Sequence, residues 1–486
     1  MPSVIESAIR STVTKGITAV ASFNRGRMAD APNPFLNGIN APVDKEVSLQ
    51  DLQVTGQIPP ELNGRYLRIG PNPLGPVKAA SHHWFLGDGM VHGVKLQAGK
   101  ALWYRNRWVR STAVSKALGE DCAPGPRHFS DTVNTNVMGH AGKTWALVEA
   151  GGYPVELGEE LQTIAHNPFE GTLKGSFSAH SHMDLATGDL HAICYEGQDQ
   201  NTLRHVVVGK DGKVKREEPI AVQHGPSVHD CMVTTNYVVV LDLPVTFSMP
   251  TLLAGYPFPY KWNPAHQARV GLLKKDAPGS SIVWCNVEPC YVFHPCNGFE
   301  SPDGKVTLDV VAHPTMFEGS LLGPIAKDSA FERWTIDPVA QTVQRKVLDA
   351  QPQEFPRPNE TRTGLPYRYA YTVALERAAD GDFVAAPHLL KHDLQTGGKQ
   401  VHDFGKGQFP SEFVFVPRNS SGASGSAGAE MAEDSGWLMG YVVDLAAGTS
   451  KLQILDAANI TAAPLATVHI PVRIPSGFHG NWVATS

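Results

Sequence analysis

The chain has 486 residues, of which 42% are hydrophobic and 18% are charged, so it is long enough to bury a large core. Its net charge of −6 and the absence of a lysine- and arginine-rich run argue against a nucleic-acid partner. No apolar stretch is long enough for a transmembrane helix. Because none of the six cysteines forms a CxxC pair and no signal peptide precedes them, we expect reduced thiols and a cytoplasmic protein.

Residues 1–45 are predicted to form an N-terminal arm that carries a short amphipathic helix. Ser3 and Glu6 have the spacing of a capping box. Apolar residues then recur every four positions, at Ile5, Ile9, Val13 and Ile17. This pattern predicts a helix over residues 4–22. Two roles stay open for it, because such a helix either packs on the body of the protein or lies on a membrane surface.

Residues 46–486 have the pattern of an all-β protein. Short runs rich in Val, Leu, Tyr and Trp alternate with turns that contain Gly, Asp or Pro, as in VKLQAGKALWY, MDLATGDLHAICY, HVVVGKDGKVKREEPI, RWTIDPVAQTVQRKVL and YVVDLAAGTSKLQILDA. Such strand–turn–strand units are typical of antiparallel hairpins. Their even distribution favours a single β-propeller domain, in which ring closure protects the sheet edges. No clean repeat gives the number of blades.

Two stretches interrupt this pattern. Residues 418–436 are rich in Gly, Ser and Ala, which predicts a flexible surface loop. Residues 243–262 are apolar and aromatic but broken by prolines, so they cannot form one long strand. We expect this second stretch either to roof a pocket or to contact a membrane.

Four of the 20 histidines lie beside strand-like runs. They are His180 in GSFSAHSHMD, His229 in GPSVHDCMV, His294 in EPCYVFHPCNGFE and His479 in SGFHGNWV. They are far apart along the chain, but the inner strands of a propeller would bring them to one axis. A site made only of imidazoles suits Fe(II), Cu(II), Ni(II) or Zn(II). From spacing alone, a structural role for each histidine stays open.

Three carboxylates are candidates to accept hydrogen bonds from such ligands. They are Glu149 in KTWALVEAGG, Glu360 in FPRPNET and Glu412 in PSEFVFVPR. A buried carboxylate needs a partner, and a metal-binding imidazole needs an acceptor at its other nitrogen. A solvent-exposed position at a strand edge stays open for each of them.

The chain resembles the carotenoid cleavage oxygenase family along nearly its whole length. The resemblance rests on an ordered series of motifs: GRYLRIGPNPLGP, HHWFLGDGMVHGV, NTNVMGHAGKTWALVEAGG, FSAHSHMD, VHDCMV, EPCYVFHPCNGFE, RWTID, FPRPNE, EFVFVPR and GFHGNW. It implies a seven-bladed propeller with one Fe(II) on the axis. The implied ligands are His180, His229, His294 and His479, and the implied outer carboxylates are Glu149, Glu360 and Glu412.

The resemblance also implies a dioxygenase that cleaves a carbon–carbon double bond of a carotenoid or apocarotenoid with O2 to give two carbonyl products. The branch of the family that cleaves stilbenes has a lysine directly before the glutamate that matches Glu149, whereas this chain has Val148. This difference favours an apolar polyene substrate. A stilbene-cleaving enzyme, a non-oxidative isomerohydrolase and a metal-free pigment-binding propeller are the alternatives.

Other residues receive structural roles. Candidate walls of the substrate tunnel are Trp84, Phe85, Phe293, Phe299 and Phe478. Asp88 is expected to shape a turn, and the segment at 134–137 is expected to fix backbone. In the tail, Gly477 and Gly480 are predicted to permit tight turns around His479. We also expect contact with a membrane surface through residues 4–22 and 243–262.

Overall fold

A computed structural model describes residues 4–325, 328–377, 383–418 and 431–485. Three parts of the sequence-based predictions lie outside the described part of the chain. These are Ser3 of the capping box, the side chains of residues 4–14, and residues 419–430 of the Gly/Ser-rich insertion. The loop prediction for that insertion therefore stays a prediction.

The helices within the described residues are few and mostly short. The α-helices are α1 (Val4–Arg27), α2 (Thr112–Leu118) and α3 (Met249–Leu253). Single 3-10 turns cover Pro34–Leu36, Gly38–Asn40, Ala79–Ser81, Trp84–Leu86, Gly279–Ser281 and Glu360–Arg362. No helix among the described residues is long and apolar enough to cross a membrane.

Helix α1 is longer than predicted, and its C-terminal end is tied to the region around α3. The Asn24 side chain donates to the carbonyl of Leu253 at 2.7 Å, and Arg25 Nε donates to the carbonyl of Gly255 at 2.8 Å. These bonds cross more than 200 residues of sequence. The C-terminal end of α1, just beyond the predicted helix, therefore packs on the body of the protein.

Nearly all other regular structure is strand. The first strands are β1 (Ser48–Gln50), β2 (Val54–Gly56), β3 (Gly64–Pro71), β4 (Gly89–Gln97), β5 (Lys100–Trp108), β6 (Asn136–His140), β7 (Lys143–Leu147), β8 (Val155–Leu157) and β9 (Thr163–His166). The next are β10 (Ser181–Met183), β11 (Leu190–Tyr195), β12 (Thr202–Val208), β13 (Val214–Ala221), β14 (Cys231–Val233), β15 (Tyr237–Asp242), β16 (Val245–Phe247), β17 (Tyr260–Trp262), β18 (Arg269–Lys274) and β19 (Val283–Asn286).

The remaining strands complete the chain. They are β20 (Tyr291–Glu300), β21 (Val306–His313), β22 (Ala330–Asp337), β23 (Thr342–Asp349), β24 (Gln353–Pro358), β25 (Tyr369–Arg377), β26 (Phe383–Asp393), β27 (Gly398–Asp403), β28 (Gln408–Pro410), β29 (Val414–Pro417), β30 (Gly436–Asp444), β31 (Thr449–Asp456), β32 (Ala466–Ile470) and β33 (Gly480–Ala484). The all-β prediction is confirmed.

The strands form small antiparallel sheets in a propeller-like arrangement. In sequence order the sheets are β1-β5-β4-β3-β33, β6-β7-β8-β9, β10-β11-β12-β13, an eight-stranded sheet β14-β15-β18-β19-β23-β22-β21-β20, β24-β25-β26-β27, and β2-β32-β31-β30 with β28 and β29 at its other edge. The short pair β16-β17 stands apart. A single parallel residue pair, Asn286 with Thr342, joins the two halves of the eight-stranded sheet, so the number of separate sheets does not give the blade number directly.

The two ends of the strand region close the ring. Strand β33 pairs with β3 at the inner edge of the first sheet, and β2 pairs with β32 at the outer edge of the last. An early strand thus completes the last sheet and the final strand completes the first. The C-terminal tail is therefore held in a sheet rather than left to fray.

Close backbone packing explains the two glycines that flank His479. A Cβ on Gly480 would lie 2.3 Å from the carbonyl oxygen of Leu67, and a Cβ on Gly477 would lie 2.9 Å from the guanidinium carbon of Arg68. Neither glycine has a positive φ. The prediction that they permit tight turns is wrong, because they are needed for close approach of strand β33 to β3.

We predict that Gly480→Ala lowers the free energy of unfolding by roughly 1–3 kcal/mol, because the added methyl group has to displace backbone. Chemical denaturation measures this change. Gly319→Ala is the control, since a Cβ there meets nothing within 4 Å. Equal stability of the two variants would contradict the proposed packing.

Candidate metal centre

The four predicted histidines lie at the inner ends of four different strands. His180 directly precedes β10, His229 lies two residues before β14, His294 lies within β20, and His479 directly precedes β33. All four are buried, with 4–9% of their surface exposed. The propeller-like arrangement thus brings together side chains that are up to 299 residues apart in the sequence.

The imidazoles converge on one point. His294 Nε2 lies 3.2 Å from His229 Nε2 and 3.1 Å from His479 Nε2. One ring nitrogen from each of the four histidines lies within 4.8 Å of the others. This spacing would allow all four side chains to bind one metal ion.

Three of the rings are held at Nδ1 by a buried carboxylate. His229 pairs with Glu149, His294 with Glu354 at 2.7 Å, and His479 with Glu412 at 3.1 Å. Each carboxylate accepts the Nδ1 proton and therefore fixes the tautomer with its lone pair on Nε2.

The carboxylates stay ionised despite their burial. Burial by itself raises the pKa of Glu412, but Arg357 and His479 outweigh this effect and lower it to about 2. Burial also raises the pKa of Glu354, but His294 and His313 outweigh it and hold this pKa far below its usual value. The anionic form is therefore the one that faces the imidazoles.

His180 is the histidine of the four whose ring is not held by one of these three glutamates. Burial, and then the neighbouring imidazoles, hold its pKa well below the usual value. Its Nε2 is buried and has no hydrogen-bond partner within the described residues. A neutral ring with a free lone pair is the form of histidine that binds a metal ion.

The donor set fits a metal ion. Three lone pairs aimed at one another repel, and a single proton on His294 would satisfy only one of its two Nε2 contacts. Metal–nitrogen bonds of about 2.1 Å at right angles would place adjacent nitrogens about 3.0 Å apart, close to the observed 3.1–3.2 Å. These four histidines could therefore hold one metal ion between them.

The prediction for Glu360 is wrong. Its side chain is 58% exposed and forms an ion pair with Arg357 at 2.7 Å, and it makes no hydrogen bond to any of the four histidines among the described contacts. The carboxylate that holds His294 is Glu354, six residues earlier. A sequence signal existed, because Glu354 and Glu412 are both followed directly by phenylalanine.

A bulge in strand β24 turns Glu354 toward the axis. The pairing of β24 with β25 shifts register between Glu354 and Arg357, and Phe355 has a positive φ of 55°. This conformation is unusual for a bulky residue. Phe355 stacks on the His294 ring at 5.5 Å, so the local strain serves to position both the carboxylate and the imidazole.

Glu149 is held by two hydroxyl groups that the sequence did not single out. Tyr195 and Ser227 both donate to its Oε1. Burial raises the pKa of Glu149, but His229 and these two hydroxyls lower it overall. No local motif identifies Tyr195, which lies in β11, or Ser227, which lies between β13 and β14, because both are distant from Glu149 in the sequence.

Asn134 and Asp88 hold nearby backbone segments through hydrogen bonds, as expected. The Asn134 side chain donates to the carbonyls of Phe85 and Gly87 at 2.8 and 2.7 Å. The Asp88 carboxylate accepts from the Leu74 amide at 3.0 Å. Both contacts shape the segment that carries Trp84 and Phe85.

A cavity of about 730 Å³ leads to the histidines. Its wall includes Trp84, Phe85, Phe258, Phe293 and Phe478, together with Glu149 and three of the four histidines, His229, His294 and His479. Four of the five predicted wall residues are thus in place. Phe299 is not, since it packs on Tyr367 in a separate cluster.

Residues 243–262 roof this cavity. Phe247, Met249, Leu252 and the run from Pro257 to Tyr260 contribute to its wall. The proline breaks in this stretch allow α3 and the β16-β17 hairpin to fold back over the cavity. The expectation that the stretch covers a pocket is therefore confirmed.

Proteins with similar sequences belong to a family of known oxygenases. The family described as retinal pigment epithelial membrane protein matches residues 40–484. The chain is 41% identical to a carotenoid cleavage oxygenase of Mycobacterium tuberculosis, over 94% of this chain and 99% of that protein.

Solved structures show the same fold. The cobalt-substituted apocarotenoid oxygenase of Synechocystis superposes with a TM-score of 0.78 at 28% identity, over 91% of this chain and 97% of that one. A lignostilbene dioxygenase of Pseudomonas brassicacearum superposes with a TM-score of 0.82 at 24% identity, over 94% of this chain and 100% of that one. The second likeness concerns the fold alone. The chain belongs to the retinal pigment epithelial membrane protein family, to which the carotenoid cleavage oxygenases are related.

Proposed function

We propose that the chain is a non-haem Fe(II) dioxygenase that cleaves one carbon–carbon double bond of a carotenoid or apocarotenoid. One atom of O2 would go to each of the two carbonyl products. The observation that carries this proposal is the set of four convergent histidines at the inner end of a large apolar cavity. The names of the Mycobacterium and Synechocystis relatives support it.

His180, His229, His294 and His479 would hold the iron, and bound Fe(II) would supply the activation of O2. The existence of a cobalt-substituted form of the Synechocystis relative supports a metal site in this chain. Glu149, Glu354 and Glu412 keep the Nδ1 protons in place and the Nε2 lone pairs directed inward. The chain needs no general acid or base for this reaction, because the double bond carries no proton that has to move.

The cavity wall would place the substrate. A polyene offers few hydrogen-bonding groups, so its position depends on shape and apolar contact. The rings of Phe85, Phe258, Phe293 and Phe478 supply such a wall. A volume of about 730 Å³ is large enough for a long apolar chain.

The same wall disfavours a phenolic stilbene. Among the described residues that line the cavity, the charged ones are Arg25, Glu149 and Glu354, and none is a lysine. Val148 occupies the position before Glu149 and also lines the cavity. Without a nearby lysine to stabilise a phenolate, the site favours a neutral polyene over a stilbene.

The proposal includes one propeller domain of seven blades over residues 46–486, preceded by the arm at 1–45. Dividing the eight-stranded sheet at its single parallel pair gives seven antiparallel units of four or more strands. Their inner strands are β33, β6, β10, β14, β20, β24 and β29. The convergence of histidines from four of these units supports a common axis.

We also propose that the mouth of the cavity rests on a membrane surface. Three residues of the cavity wall are notably exposed for apolar side chains: Leu86 at 43%, Phe129 at 72% and Met249 at 37%. Val20 and Phe23, exposed at 48% and 63%, lie in the part of α1 that also contributes residues to the cavity wall. An exposed apolar rim of this kind suits the transfer of a lipid-soluble substrate.

The purified protein should contain about one iron per chain, and His479→Ala should lose it, because three imidazoles without the fourth bind metal more weakly. Metal analysis measures this loss.

The iron-loaded protein should cleave members of a carotenoid and apocarotenal panel and leave resveratrol intact, as followed by mass spectrometry with labelled O2. We expect label in both products.

Cleavage of resveratrol alone would replace the proposed substrate class with stilbenes. Products without label would indicate non-oxidative chemistry at the same site. Iron-free protein that still binds the polyene would overturn the enzyme assignment in favour of a pigment-binding propeller.

Glu354→Gln should weaken metal affinity by about 10- to 100-fold, since it removes the charge that holds His294 and His313. Glu360→Gln, six residues away and exposed, should change the affinity far less. Competition with a chelator measures both affinities. If Glu360→Gln weakened metal affinity more than Glu354→Gln, Glu360 would be the functional partner of His294 after all.

The double variant Phe23→Ser and Met249→Ser should lower binding to liposomes by roughly tenfold, because it removes apolar surface from the rim. Val339→Ser is the matched control, since Val339 is 94% exposed on the distant β22-β23 hairpin. A sedimentation assay measures the bound fraction. Equal binding of the double variant and the control would exclude the rim as a membrane contact.

A further inference from the structure

A second cavity, of about 220 Å³, also reaches the histidine cluster. It shares His294, His479 and Phe355 with the large cavity, but His180 lines only the small one and His229 lines only the large one. Its wall comes mainly from inner strands β6, β10, β20, β24 and β33. We call it the axial cavity.

The two cavities differ in charge. The axial cavity is lined by three carboxylates, Asp230, Glu360 and Glu412, and by one guanidinium, that of Arg357. Arg357 is already paired with Glu360 at 2.7 Å and lies 3.6 Å from Glu412. The wall therefore carries an excess of negative charge.

A hydrated divalent cation would be stabilised more strongly in this cavity than in the large one, where Glu149 and Glu354 are the carboxylates in a mainly apolar wall. Moving a cation along an aromatic wall removes its hydration without replacement. Carboxylates, in contrast, attract a cation and replace its water ligands. The polarity of the two cavities thus separates a path for a metal ion from a path for an apolar substrate.

One pair of side chains in the axial cavity has the chemistry of a metal-binding pair. His182 Nε2 lies 2.8 Å from Asp230 Oδ1, and the two residues form a possible metal-binding group with Cys231. His182 and Asp230 line the axial cavity, whereas Cys231 does not. The imidazole and the carboxylate are therefore the two groups of this set that a cation in the cavity could reach.

This pair lies next to the ligand set. Asp230 Oδ2 is 3.6 Å from His180 Nδ1, and Asp230 directly follows His229 in the chain. His180 is the histidine that lines only the axial cavity, and its buried Nε2 has no partner within the described residues. A cation held by His182 and Asp230 would thus lie on the Nδ1 side of the His180 ring, with the unpartnered Nε2 of the same ring as the next ligand on the way to the other three histidines.

We propose that the metal ion reaches the four histidines through the axial cavity, with His182 and Asp230 as a transient binding pair on the way. This inference rests on the proposed function, because it presupposes that the four histidines bind a metal. It adds a second metal-binding pair and assigns separate paths to metal and substrate.

Asp230 could instead only orient His180 and His182. The two roles differ in what they change. A residue on the path changes association and dissociation rates by the same factor and leaves the dissociation constant unchanged. A positioning residue weakens the equilibrium affinity and leaves association unchanged.

The test uses the full chain stripped of metal with a chelator, and Co2+ as the probe, with its visible absorption reporting uptake. Asp230→Asn keeps an Oδ1 that can accept from the Cys231 amide and from His182, so it removes charge with little change in shape. We expect association to slow by roughly tenfold and to become less sensitive to salt, with an unchanged dissociation constant.

His182→Gln, a change at a half-buried position, should slow association in the same way. The double variant should be no slower than either single one, because both belong to one pair. Asp403→Asn is the matched control for charge, since Asp403 is 67% exposed at the end of β27 and its Oδ1 acceptor for Gly405 is retained. This variant should bind Co2+ at the same rate as the wild type.

Wild-type association rates in both Asp230→Asn and His182→Gln would overturn the path. So would a weaker dissociation constant with unchanged association, which would assign Asp230 to positioning. If the unmodified chain bound no Co2+ at all, the proposed function itself would fail, and that result is distinct from either of the others.

Discussion

The site depends on one electrostatic constraint, which is that three buried carboxylates hold the Nδ1 protons of three imidazoles. Glu149, Glu354 and Glu412 each fix one ring, so that the Nε2 lone pairs of His229, His294 and His479 face one another. Three anions and three convergent lone pairs are unfavourable together without a cation. Arg357 offsets part of this charge beside Glu412, and a cation between the Nε2 atoms would offset the rest.

The fold supplies the precision that this arrangement needs. Each histidine lies at or near the start of an inner strand, where the backbone is fixed by pairing to the next strand of the same sheet. His479 depends most on closure, because strand β33 follows it directly and pairs only with β3 within the described sheets. Gly480 allows that pairing to be close, so the position of His479 and the closure of the ring depend on each other.

Much of this could be predicted from the sequence. The regular turns indicated an all-β fold, and the ordered family motifs placed all four histidines and two of the three glutamates. Glu354 was missed because a bulge at Phe355, with its positive φ, decides which carboxylate of this stretch faces the axis. Such a bulge has no local pattern. Tyr195, Ser227 and Asp230 were missed for a related reason, since their contacts join strands that are distant in the sequence.

The opposite polarity of the two cavities follows from the same constraint. Under the proposed function, an apolar substrate would reach the histidines over a surface that excludes water, and the aromatic wall beside His229 is such a surface. The two carboxylates of that wall, Glu149 and Glu354, are bonded to the imidazoles of His229 and His294. Further charge lies on the side of His180, where Asp230, Arg357 and Glu412 lie among inner strands. A centre that needs both an ionic and an apolar approach can have both only if they meet from different directions.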